Sequence, residues 1–97
     1  MGCYVTVEIT AKKGTAPAML EAMRVALPIT RSRDGCQSLE LLVNQDEPEN
    51  MIIVMRWQSR KHYDAYLAWR QETGVVRQFA DATEGGLSIR FFDAIDL

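Results

Sequence analysis

A chain of 97 residues, 47% hydrophobic and 25% charged, has the size and composition of one globular domain, expected to span residues 1–97. Its net charge of −2, with Lys and Arg scattered along the sequence, argues against the clustered basic face of a nucleic-acid binder. No stretch approaches the roughly 18 apolar residues of a membrane span, and no basic start leads into an apolar run, so the expected setting is the cytoplasm.

Residues 3–11 alternate Val5, Val7 and Ile9 with Thr6, Glu8 and Thr10, which predicts a strand. Gly2 and Thr6 fit the myristoylation pattern, but Thr6 already belongs to this alternation. After "KKGT", Pro17 suits the first turn of a helix. Met19, Leu20, Met23, Ala26 and Leu27 then recur at the spacing of a core-facing stripe. Pro28 is expected to kink or end that helix. A turn at Gly35 leads into a second strand, with Leu39, Leu41 and Val43 on one face.

"DEPEN" is a connection made of turn formers. The third strand, "MIIVMRW", is apolar on both faces: Ile53, Met55 and Trp57 point one way, Ile52 and Val54 the other. Ser59 is placed to cap a helix ending near Thr73, with Gly74 as its stop. A short helix carrying Val75, Val76, Phe79 and Ala80 follows, "EGG" breaks it, and "LSIRFFDAI" reads as the last strand.

The order β-α-β-β-α-β predicts an α+β, ferredoxin-like fold: a four-stranded antiparallel sheet with helices on one face. A third strand that is apolar on both faces needs cover on both. The simplest cover for the open face is a second copy, which predicts a homodimer. Cys3 and Cys36 are far apart and form no CxxC, so they are expected as reduced thiols at strand starts. They and a single histidine make a poor zinc set, and no metal is expected.

"ALPITRSRDGC", "DEPEN", a strand ending in "RWQS", "YDAYLAWRQETG" and "SIRFFDAID" together resemble the antibiotic biosynthesis monooxygenase family, and within it the quinol monooxygenases. The resemblance runs from about Val5 to Asp96. It implies a dimeric α+β barrel, homodimerisation by sheet packing, and a pocket between helices and sheet. It also implies oxidation of phenols or quinols with O2 and no bound cofactor. Family members commonly carry Glu two residues before the Trp and His at the ninth position after it. Here those positions hold Met55 and Tyr66.

The aromatic stretch from Arg56 to Arg70 holds most of the candidate site. Trp57 either plugs the helix–sheet core or walls a pocket with its indole N–H aimed at a substrate oxygen. Tyr63, Tyr66, Leu67 and Arg70 share one helical face, with His62, Ala65 and Trp69 on a neighbouring stripe. Tyr66, at the family's His position, is the preferred pocket donor. Arg70 is either a last-turn cation favoured by the helix dipole or a holder of anions. His62 is either solvated or a base, histidine being the side-chain type that titrates near neutral pH. Asn44 either closes a turn or, as in related monooxygenases, stands near the pocket.

Trp57, Tyr66 and His62 are thus the catalytic candidates. Asn44, Met55, Tyr63, Trp69 and Arg70 are the substrate-binding ones. Their chemistry suits an aromatic small molecule that supplies its own electrons to O2: an apolar pocket excludes water, and donors stabilise charge on a substrate oxygen. The alternatives are a non-catalytic binding or structural dimer, and haem degradation, which Val7 disfavours by standing where an Asn would be expected.

Overall fold

The computed structural model describes residues 2–97. The chain runs β1 (Cys3–Thr10), α1 (Ala16–Arg31), β2 (Cys36–Val43), β3 (Asn50–Trp57), α2 (Arg60–Glu72), α3 (Val75–Asp81) and β4 (Ser88–Phe92). The strands form one antiparallel sheet in the order β2-β3-β1-β4. This is the ferredoxin-like arrangement, with a short helix α3 added between α2 and β4.

Register explains where the core sits. Leu39, Met55, Val5 and Phe91 lie side by side across the four strands, and Leu41, Ile53, Val7 and Ile89 form the next row. Strand alternation sends both rows to the helix-covered face, where Met19 and Met23 of α1 and Tyr63 of α2 complete the core. Full burial of one such side chain contributes about 1.5–3 kcal/mol. The opposite face carries Glu40, Val54, Thr6 and Arg90 in one row and Leu42, Ile52, Glu8 and Ser88 in another. Ile52 and Val54 are half-buried there, while Leu42 and Phe92 are exposed.

Of the kink or end expected at Pro28, the end does not occur: α1 continues to Arg31. Proline removes the hydrogen bond to the carbonyl of residue 24, but Arg24 and Pro28 lie on the exposed side of the helix, where that carbonyl is open to solvent rather than stranded in the core. Two further expectations, at Leu20 and at the end of β4, are corrected. Leu20 is exposed at the edge of its stripe. β4 stops at Phe92 rather than Ile95, because β1 pairs with it only from Glu8 to Tyr4.

Candidate functional site

The site is built on α2. Ser59, extended at φ −156°, accepts the backbone N–H of His62 at 3.2 Å and starts the helix. That start fixes which residues turn inward: Tyr63, Tyr66, Leu67 and Arg70 face the sheet and α1. They border a cavity of about 80 Å³ whose other walls include Val7, Ile53 and Met55 from the sheet and Met23 and Leu27 from α1. Val75, Val76 and Phe79 of α3 close one side. On a scale where one water occupies about 10–15 Å³, this space takes several waters, or a small ring in their place.

The walls are apolar except at one end. There Thr30 Oγ1 and the Tyr66 hydroxyl lie 2.7 Å apart. Arg70 donates from Nε to the Tyr66 hydroxyl at 2.9 Å, and from Nη2 to the Ala26 carbonyl at 2.8 Å and to Thr30 Oγ1 at 3.1 Å. Arg70 is only 5% exposed and Thr30 2%. Among the described residues no carboxylate pairs with Arg70; the ion pairs lie elsewhere, on exposed or half-exposed side chains. A buried guanidinium held by three neutral oxygens keeps a strong uncompensated field at this end of the cavity.

Behind the cavity the aromatic rings interlock. Trp57 meets Tyr63 edge to face at 5.5 Å and Tyr66 at 5.1 Å, and Tyr63 meets Phe91 at 5.6 Å. Burial, with lesser contributions from Tyr66 and Asp64, pushes the Tyr63 phenol up. Tyr63 therefore stays protonated and serves as wall, not as base.

Of the residues expected at the site, the fold brings Met55, Tyr63, Tyr66 and Arg70 to the cavity. Trp57 is fully buried beneath them. Its indole N–H goes to Met55 Sδ at 3.4 Å, and it borders no part of the cavity. It can act on a ligand only through the residues that cover it, Met55, Tyr63 and Tyr66. His62 lies at the other end of α2, against Gly35, with Nδ1 2.7 Å from Ser59 Oγ and Nε2 3.8 Å from Asp34. Asn44 closes the β2–β3 turn, accepting Asp46 N–H and donating to Asn50. Trp69 flanks the cluster, with the Arg33 guanidinium over its ring at 4.0 Å and that of Arg70 at 5.0 Å.

Thr30 is the polar residue that sequence reasoning missed. It continues the Met19, Met23, Ala26, Leu27 stripe by one more turn, a signal hidden once Pro28 is taken as the helix end. The α3 wall was visible as a short apolar helix but not as part of a site.

A family model described as antibiotic biosynthesis monooxygenase matches residues 3–82. Among solved structures, an antibiotic biosynthesis monooxygenase is similar with a TM-score of 0.86 at 20% identity, over 97% of this chain and 99% of its own. A conserved protein from Methanosarcina mazei Go1 is similar with a TM-score of 0.85 at 11% identity, over 95% and 91%. A candidate antibiotic biosynthesis monooxygenase from Deinococcus radiodurans gives 0.84 at 17% identity, over 98% and 94%. At these identities the likeness is one of fold. No curated protein matches the chain.

Proposed function

The chain belongs to the antibiotic biosynthesis monooxygenase family, and on that premise we propose that it oxidises a small quinol or phenolic ring with O2, without a bound cofactor. The observation that carries this reading is an apolar cavity with one polar end, where Tyr66, Thr30 and Arg70 converge. Triplet O2 reacts slowly with closed-shell organics, but a quinol anion can pass it one electron. The resulting radical pair joins through a new C–O bond at the ring. Cleavage of O–O then leaves one oxygen on the product and releases the other as water. The ring loses four electrons, O2 gains four, and two hydrogens leave in the water. In this scheme the apolar walls exclude bulk water, and the polar end stabilises charge on the ring oxygen.

The test is oxygen uptake by metal-free protein with a panel of hydroquinones and dihydroxyaromatics, against buffer autoxidation. Saturable uptake that follows protein concentration, and falls about tenfold or more in Tyr66→Phe, is the expected result. A folded protein giving no uptake above blank overturns it.

A second reading, binding without turnover, is favoured by one observation: the described residues bordering the cavity include no carboxylate and no imidazole, so no ordinary general base faces a ligand. Saturable equilibrium binding of the same panel with no oxygen consumed would select it.

The same proposal places a second copy on the open sheet face. Thr6 Oγ1 is sealed from water there without a hydrogen-bond partner, between half-buried Val54 and the Glu8–Arg90 pair at 3.6 Å. A single 11.0 kDa particle by light scattering at micromolar concentration would remove the dimer.

A further inference from the structure

We propose that Arg70 makes the cavity a receptor for a phenolate, one ionised ring oxygen held by guanidinium Nη1. The proposal rests on the cavity being the ligand site of the reading above. A guanidinium has five N–H donors. Three are committed, to the Tyr66 hydroxyl, the Ala26 carbonyl and Thr30 Oγ1. The two on Nη1 make no hydrogen bond to the described residues, and Arg70 borders the cavity.

The geometry of what remains sets the class of ligand. Arginine grips a carboxylate or phosphate best through two parallel N–H groups on different nitrogens. Here Nε and Nη2 are both taken, so that fork is unavailable. The two N–H groups on Nη1 diverge, so a single one meets a ligand oxygen, end on and with no parallel partner. A phenolate presents one such oxygen on a flat apolar body, and the rest of the cavity is apolar wall.

The electrostatics point the same way. The titratable or charged groups placed around Arg70 are Tyr66 and Tyr63 on its own helix, Asp64 on the same helix acting on Tyr63, and Arg33, whose guanidinium like that of Arg70 lies over the Trp69 ring. α1 presents Thr30 and the Ala26 carbonyl, while the sheet and α3 present apolar side chains. Asp64 is exposed, and Arg70 is the one formal charge among the described residues that border the cavity. Burial in apolar walls opposes ionisation of a bound phenol, whereas an unpaired buried cation in contact favours it. The bound phenol therefore ionises at lower pH than the free one. This supplies the reactive anion without a general base, which the cavity walls do not offer.

The probe is 4-nitrophenol, whose anion absorbs in the visible, titrated against pH with and without the protein. Its methyl ether, 4-nitroanisole, is the neutral control, and 4-nitrobenzoate and chloride are the competing anions. The bound phenol is expected to titrate about one pH unit or more below the free phenol, a tenfold preference for the anion. 4-Nitroanisole and 4-nitrobenzoate are expected to bind about tenfold more weakly or worse. Arg70→Met removes the shift, and Arg70→Lys retains part of it.

The wild-type titration decides the matter even where a variant fails to fold. A bound phenol that titrates at or above its free value overturns the proposal. So does displacement by 4-nitrobenzoate or chloride as effective as by 4-nitrophenol itself, and so does an absence of binding. The two readings fail separately. Oxygen uptake with quinols but no lowered titration rejects the phenolate receptor and keeps the oxygenase. A lowered titration with no uptake keeps the receptor and rejects turnover.

Discussion

Helix α2 carries a polar cluster at each end, and the two differ in kind. At its N-terminal end Ser59 and His62 are half-buried and Asp34 faces water, with 97% of its side chain exposed. Each donor there has an acceptor within the cluster or in solvent, so the group closes on itself. At the C-terminal end Arg70 and Thr30 are buried and Tyr66 is half-buried, and Arg70 brings more donors than the protein supplies acceptors. A serine, a histidine and an aspartate in a row invite a catalytic reading, yet that arrangement is a helix cap. The candidate site is the cluster whose hydrogen bonding is incomplete beside a cavity. Residue type alone does not separate the two; burial and satisfaction of donors do.

The largest expected effect lies at the exposed end, and it comes from backbone. Gly35 has φ +90°, and a Cβ there would stand 2.5 Å from His62 Cβ. Gly35→Ala should lose about 2 kcal/mol or more in urea unfolding, roughly 1–2 kcal/mol of it from the left-handed backbone alone. A smaller loss would mean that the α1–β2 turn can retreat from α2. Next is Thr30→Val at the buried end. It keeps the shape but removes an oxygen that serves both Arg70 Nη2 and Tyr66, so the expected loss is about 1–3 kcal/mol. Ser59→Ala, with its cap half-buried, should lose about 1 kcal/mol. If Ser59→Ala proved costlier than Thr30→Val, burial would not be what distinguishes the two ends.

Sequence periodicity revealed most of the frame on which these clusters sit. β3 alternates Met51, Ile53, Met55 and Trp57 inward with little ambiguity, the Ser59 cap was visible, and the stripe of Tyr63, Tyr66, Leu67 and Arg70 follows from helical spacing. What periodicity could not reveal was depth and reach. Trp57 was correctly placed on the inner face, but only packing shows that Tyr63 and Tyr66 cover it. His62 attracted attention through its chemistry, although its helical phase puts it off the inward stripe. Thr30 was hidden by Pro28, because a proline's effect on a helix depends on whether water reaches the carbonyl it leaves unpaired. Whether Arg70 is a last-turn cation or a buried one is likewise a tertiary fact. Its backbone position is the same in both cases, and only the contact with Ala26 and Thr30 of α1 distinguishes them.

The smallest expected change in stability comes from the residue with the most hydrogen bonds. Arg70→Met removes a buried cation that has no carboxylate partner among the described residues. Its former partners are not left stranded. Thr30 Oγ1 and the Tyr66 hydroxyl still bond each other at 2.7 Å, and the Ala26 carbonyl keeps the Thr30 hydroxyl at 3.3 Å. Methionine restores much of the apolar volume. Replacing a buried charge with a well-packed apolar side chain is often neutral or stabilising, so the variant should unfold within about 1 kcal/mol of the parent, or above it. The same change should abolish anion selectivity in the cavity. A residue that binds ligand while adding nothing to stability is held in place for its field. Were Arg70→Met instead to lose about 3 kcal/mol or more, the scale of breaking a compensated buried pair, Arg70 would be a strut between α1 and α2. The two ends of α2 would then differ only in how deeply the same structural role is buried.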